Sequence, residues 1–324
     1  MRPALTALAL AALLSAAPKQ PPLGLDAYMP TPPDNPLTAE KAGLGRRLFF
    51  DERLSRDNSV SCATCHDPEI GFTDREPVAV GVDKQKGTRR TPRLINRGYG
   101  QTFFWDGRAQ SLEEQVLKPI ENPIEMDLSL AEAVGRVAED PDYAAAFQAA
   151  FGAGPSSSTL AMALASYVRT IVSGDSPYDR YVAGDSDALT PGQKRGLELF
   201  RGKAACAVCH LGPNLTDEEF HNTGVGWKDG PPEDLGRAKV TDHPEDRGAF
   251  KTPTLREVAL AGPYMHDGSL ETLEDVIEFY NDGGEANDYL DRDMAKLDLT
   301  DRERADLVSF LEALNGKVLE GPQP

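Results

Sequence analysis

Two short runs constrain this chain more than anything else in it: Cys62-Ala-Thr-Cys65-His66 and Cys206-Ala-Val-Cys209-His210. C-x-x-C-H is the attachment signature of c-type haem. Each cysteine pair forms thioethers to the porphyrin, and the following histidine ligates the iron. The cysteines sit one helical turn apart, so the next residue points back at the ring. Zinc and a redox dithiol are the alternatives. Zinc sites place their Cys pairs about 15–20 residues apart or add a nearby His pair. Here the pairs are far apart and each carries its own His. A thioredoxin-like dithiol needs a βαβ context, which the pattern lacks. The two motifs use all four cysteines, so the chain is expected to hold two covalent haems c and no disulfide.

The 324 residues suffice for two domains. Met1-Arg2, the Ala/Leu run Ala4–Leu14 and Ser15-Ala16-Ala17 read as a secretory signal over residues 1–17, too short to span a membrane. Covalent haem attachment points the same way, to the periplasm. Residues 18–36 are Pro-rich and read as an extended lead-in. A net charge of −18 excludes a nucleic-acid partner and suits either solubility or a basic partner protein.

From Thr38 a helix runs to Phe50 with Leu44, Leu48 and Phe49 on its apolar face. Residues 67–100 read as long loops. Helices are expected near Ser111–Lys118, Leu128–Glu139, Asp142–Phe151 and Leu160–Ser173, with a loop at 152–159 and a crossing at 176–189. The pattern then restarts. Thr190-Pro191 and Gln193 form a capping signature, and Lys194 to Phe200 echoes Lys41-Ala-Gly43-Leu44 and Leu48-Phe49. Thr91-Pro92 matches Thr252-Pro253, and fifteen residues beyond each threonine stands Asp106-Gly107 or Asp267-Gly268. Six residues later come Leu112-Glu113 and Leu273-Glu274. This internal repeat predicts an all-α fold: two cytochrome c-like haem domains in tandem with long irregular loops, at 37–185 and 186–324. A capping box at Thr300 and Glu303 opens a last amphipathic helix carrying Leu307, Phe310, Leu311 and Leu314.

The repeat also bears on the sixth iron ligands. A strong protein ligand there suits electron transfer, and an open position admits a small oxidant. Thirteen residues beyond the Asp of each Asp-Gly pair stand Pro119 and Tyr280. Proline has no ligand atom, whereas a tyrosine phenolate binds ferric iron. Met265, His266 and Met294 compete with Tyr280, which could equally be a core aromatic. The first haem is expected open and the second closed.

Leu48-Phe49-Phe50-Asp51, Phe104-Trp105-Asp106-Gly107-Arg108, Glu125-Met126 and Pro263-Tyr264-Met265-His266, with the two haem motifs, resemble the family of bacterial di-haem cytochrome c peroxidases and MauG. The resemblance runs from about Leu37 to Leu314. It implies an enzyme that reduces hydrogen peroxide at the N-terminal haem, with His66 as proximal ligand, while the C-terminal haem, held by Cys206, Cys209, His210 and Tyr280, relays oxidising equivalents. It implies that Gln115 positions peroxide, that Glu125 moves the proton, and that Trp105 stands between the haems. It further implies a calcium ion held by Asn96 and the carbonyls of Ala261 and Pro263. Classical members carry a Gly-His pair whose histidine caps the first iron. Here that pair is Gly81-Val82, so no cap is expected. With Tyr280 in place of a methionine, this favours the MauG-like branch. The electron donor would be a small cytochrome c or cupredoxin, or a Trp or Tyr on a protein substrate. A di-haem electron carrier without catalysis, and a sensor module, are the competing readings.

Overall fold

The computed structural model describes residues 21–321; the signal-like segment lies outside them. The α-helices in chain order are α1 (Ala39–Phe49), α2 (Cys62–Cys65), α3 (Leu112–Gln115), α4 (Lys118–Glu121), α5 (Leu130–Ala138), α6 (Pro141–Phe151), α7 (Ser157–Arg169), α8 (Pro177–Val182), α9 (Pro191–Arg201), α10 (Ala238–Thr241), α11 (Leu273–Asn281) and α12 (Asp301–Glu312). Four short strands, β1 (Val172–Gly174), β2 (Phe220–His221), β3 (Phe250–Lys251) and β4 (Lys317–Leu319), form two antiparallel pairs, β1–β4 and β2–β3. The fold is therefore helix-rich with two small ribbons rather than all-α.

Most of the buried apolar side chains fall into two clusters, one built from Leu44 to Ile171 and the other from Leu189 to Leu314. In the first, α1 lays Leu44, Leu48 and Phe49 against α7, with Phe49 edge-on to Tyr167 at 5.0 Å. In the second, α9 packs on α12, with Phe200 and Phe310 5.1 Å apart. The caps are as the sequence predicts: Thr190 accepts from Gln193 N, and Thr300 from Glu303 N.

Each half brings its two principal helices together at a glycine. A Cβ on Gly45 would lie 1.9 Å from the Ala163 carbonyl oxygen, and one on Gly196 2.0 Å from that of Asp306. The glycine matching Gly196 is thus Gly45, not Gly43, a two-residue correction to the echo. Each of Gly45→Ala and Gly196→Ala is expected to force the helices apart and to cost about 1–3 kcal/mol, read as a lowered midpoint in thermal or denaturant unfolding of the haem-loaded protein.

Three other expectations change. Helix α7 starts at Ser157, because Ser156 and Thr159 form a reciprocal capping box inside the supposed loop. That helix ends at Arg169, and Val172–Gly174 is strand, pairing Val172 with Leu319. The crossing at 176–189 contains α8, started by the Ser176 and Asp179 box. Asp179 also receives Arg256 Nη1 at 2.5 Å, and the same guanidinium reaches the Gly24 carbonyl at 2.9 Å. The C-terminus returns to the first half, where Glu320 accepts from Tyr167 and Arg46.

Candidate active site

Both haem motifs are built alike. In α2 the Cys62–Cys65 turn closes with His66 N donating to the Cys62 carbonyl at 2.9 Å; at the second motif His210 N donates to the Cys206 carbonyl at 2.9 Å. The chain then curls so that a residue with positive φ, Phe72 or Leu215, offers its carbonyl to the imidazole. His66 Nδ1 lies 3.1 Å from Phe72 O, and His210 Nδ1 3.1 Å from Leu215 O. A carbonyl only accepts, so Nδ1 carries the hydrogen and Nε2 keeps its lone pair for a metal. Burial lowers the pKa of both rings, that of His66 to about 4, so both are neutral at ordinary pH.

Both motifs open into one largely apolar cavity of about 440 Å³. The four cysteines are free of disulfides and line it beside His66 and His210. Two neutral imidazoles and two thiol pairs on one apolar cavity fit two covalent haems.

The same cavity is lined by Gln115 from α3, Pro119 from α4 and Glu125 from the following turn, the last close enough to act on Cys62 and Cys65. No ligand atom stands at Pro119. Val82 is fully buried in the first core cluster, and its side chain is not part of the cavity wall. Its backbone N–H instead donates to the Glu125 carbonyl at 2.9 Å. Gly81 makes that approach possible, since a Cβ there would fall 2.0 Å from the Ile124 carbonyl oxygen. Burial raises the Glu125 pKa, opposed by a hydrogen bond from Asn122 and the charge of Arg108. Asn122 Nδ2 donates to Glu125 Oε1 at 2.7 Å. Arg108 is fixed over the Phe104 ring at 3.5 Å and by Asp106.

Tyr280 of α11 is half-buried and lines the same cavity. Burial and the neighbouring sulfurs of Cys206 and Cys209 raise its pKa, with the Thr223 hydroxyl opposing. Met265, His266 and Met294 line the same cavity. His266 stacks flat on Phe250 at 3.4 Å, among Asp267, Asp234 and Arg89 at the junction of the halves, and burial lowers its pKa to about 4. Tyr280, by contrast, sits by the second motif's cysteines.

Trp105 lines the cavity where the halves meet: its Nε1 donates to the Arg90 carbonyl at 2.8 Å, and its own carbonyl accepts from Lys251 N at 2.8 Å. Around it four arginines of one segment cross the seam. Arg89 pairs with Asp234 at 2.6 Å, Arg90 donates to the Ala261 carbonyl at 2.7 Å, Arg93 to the Thr254 and Arg256 carbonyls at 2.7 and 2.8 Å, and Arg97 pairs with Glu218 at 2.8 Å. These contacts bear on the implied calcium site. Asn96 spends both ends of its amide on the Ser173 backbone, at 2.9 and 3.0 Å, and the Ala261 carbonyl already accepts from Arg90. The Asn96 and Ala261 oxygens thus each already serve one protein hydrogen bond, and each keeps a second lone pair.

Sequence reasoning did not find Asn122, the seam arginines or His221. His221 lies by Cys209, with Nε2 2.9 Å from Asp217 and Nδ1 2.6 Å from Asp291. Cys209 and then the two carboxylates raise its pKa to about 10. Asp291 is far along the chain, so no local pattern announces the trio. For Asn122 a signal existed: Asn-Pro three residues before Glu125 marks a turn.

The sequence model of the family described as di-haem cytochrome c peroxidase matches residues 39–187. The methylamine utilization protein MauG of Methylorubrum extorquens is 46% identical over 89% of this chain and 82% of its own length. Cytochrome c551 peroxidase of Pseudomonas aeruginosa is 36% identical over 87% of this chain and 80% of its own. Among solved structures, a MauG-like protein associated with microbial copper homeostasis superposes with a TM-score of 0.85 at 37% identity, covering 90% of this chain and 95% of that one.

Proposed function

This chain belongs to the di-haem cytochrome c peroxidase family and is a di-haem peroxidase related to MauG, and from that membership we propose that it reduces hydrogen peroxide at the His66 side of its cavity without prior reductive activation. What supports this is the lining that the first motif shares: Gln115 and Glu125 border the same cavity as His66, Pro119 offers no ligand atom, and Val82 is buried in the core.

When bound, the first haem supplies the iron on which peroxide is reduced. The chain's residues do the rest. Cys62 and Cys65 would fix the ring, and His66 would hold the iron through Nε2, the nitrogen left free because Phe72 O occupies Nδ1. Gln115 can donate and accept at once, which suits it to orient HOOH. Glu125 would move a proton from one oxygen of HOOH to the other as the O–O bond breaks. Reducing HOOH to two waters consumes two electrons and two protons overall. The apolar side chains of Leu112, Val116 and Met126 keep bulk water from the site. Trp105 is the stepping stone at the seam toward the second haem, held by Cys206, Cys209, His210 and Tyr280. The electrons come from a small cytochrome c or cupredoxin, or from a Trp or Tyr of a protein substrate; the protein-substrate route is the one the Tyr280 and Val82 positions favour. The signal-like N-terminus and the covalent haems support a periplasmic location.

The fully oxidised protein mixed with one equivalent of peroxide is expected to change its haem absorption spectrum at once, with no reductant present. A change that requires prior reduction would mean that some group caps the first iron. No change in either state would leave an electron carrier.

A further inference from the structure

Glu125 stands on a short turn, and one residue of that turn organises all of it. Asn122 caps α4, its N–H bonding back to the Lys118 carbonyl at 3.0 Å. The Asn122 carbonyl accepts from Glu125 N at 3.0 Å and Asp127 N at 2.9 Å. Its side-chain Oδ1 accepts from Ile124 N at 3.0 Å, an Asx turn. That bond settles the amide's orientation, so the atom 2.7 Å from Glu125 Oε1 is the donor Nδ2. From the other side, Val82 N holds the Glu125 carbonyl. Glu125 Oε2 has no protein hydrogen bond among the described residues, while the residue borders the cavity that His66 also lines, near Cys62 and Cys65.

We propose that Asn122 is a positioning residue for proton transfer: it pins Oε1 of Glu125, which leaves Oε2 as the atom that exchanges the proton with peroxide. The inference rests on the assignment of Glu125 as the acid–base group. It gives the two carboxylate oxygens separate duties. It also gives the Asn122 donor an electrostatic duty, because a hydrogen bond to the ionised carboxylate favours that form against burial. The charged group facing Glu125 from the neighbouring elements is Arg108, which acts in the same direction. From α2 the nearby atoms are the sulfurs of Cys62 and Cys65, uncharged as thioethers. From the 81–83 loop Asp83 is paired with Arg56, which also holds Asp127. Gln115 is neutral.

Asn122→Asp separates the side chain's two duties. Aspartate keeps an oxygen for Ile124 N, so the turn survives, but it replaces the donor with a carboxylate oxygen against Glu125. Two carboxylates at that distance share a proton, and the pair's upper pKa rises. The measurement is the rate of the absorption change of the oxidised, haem-loaded protein with peroxide, followed against pH. In the wild type the rate rises with pH as Glu125 ionises. In Asn122→Asp that limb is expected to move upward by about one pH unit or more, a loss of about tenfold at a pH on the limb that recovers at higher pH. A merely structural Asn122 would instead lower the rate by one factor at every pH, and that result, or an unmoved limb, overturns the proposal. Asn122→Ser is the second variant. Its hydroxyl can still accept from Ile124 N but is too short to reach Glu125, so a smaller upward shift is expected and an unmoved limb again overturns the proposal. Glu125→Gln separates the two ideas. If it retains the limb, the Glu125 assignment has failed. If it abolishes the limb while both Asn122 variants leave it in place, only the Asn122 inference has failed.

Discussion

Glu125→Gln is expected to slow the reaction of the oxidised protein with peroxide by about 10²–10⁴-fold, the usual contribution of a positioned acid–base group. Glutamine has the same shape, and its carbonyl can still accept from Asn122 Nδ2, so the turn and the cavity persist and the loss reports chemistry. Burial holds the Glu125 pKa above the ordinary carboxylate value. The group must be ionised to take the first proton, so the wild-type rate falls as pH drops through that raised value, and the variant's rate should be flat there. Stopped-flow absorption of wild type and variant across pH makes the comparison. A wild-type rate in Glu125→Gln would remove this residue from the mechanism and leave Gln115 as the only polar side chain of that wall with a role.

Tyr280→Met is expected to raise the midpoint potential of the second haem by a few tenths of a volt, part of the roughly 0.8 V that axial ligands span. A phenolate favours ferric iron, and a thioether favours the ferrous state. The site can take the exchange: Tyr280 is half-buried on α11, Met is flexible, and Thr223 loses only one contact. A second haem reduced at higher potential accepts electrons from a small cytochrome more readily and shares oxidising equivalents less well, so the variant should gain as a cytochrome c peroxidase and lose in oxidising a protein residue. Spectroelectrochemical titration reads the potential directly. An unchanged potential would hand the sixth position to Met265, His266 or Met294, all of which border the cavity.

The parts legible from sequence are those written in local patterns. The haem motifs, the capping signatures at Thr190 and Thr300, the apolar stripe of α1 and the placement of Tyr280 on α11 each need only a few neighbouring residues. The repeat then extended them from one half to the other. It slipped by two at Gly45 because a glycine's partner is a backbone oxygen on another helix, which composition does not record. Helix α7 was cut short at its start because Ser156 and Thr159 look like loop residues until they cap each other. The strand at Val172 reads as helix because its partner is near the other end of the chain. The seam escaped for the same reason: Arg89, Arg90, Arg93 and Arg97 find Asp234, Ala261, Thr254 and Glu218 only after folding. The oxygens of Asn96 and Ala261 likewise accept hydrogen bonds from Ser173 and Arg90, contacts that no local pattern announces.

The pairing of β1 with β4 has a consequence for how the protein is made. The last strand of the first half waits for Lys317–Leu319, near the end of the chain. Contacts of such sequence separation form late and slowly, and larger chains fold through populated intermediates. The ribbon of the first half is therefore closed only by a segment that lies beyond the last helix of the second, which ties the completion of one half to the folding of the other.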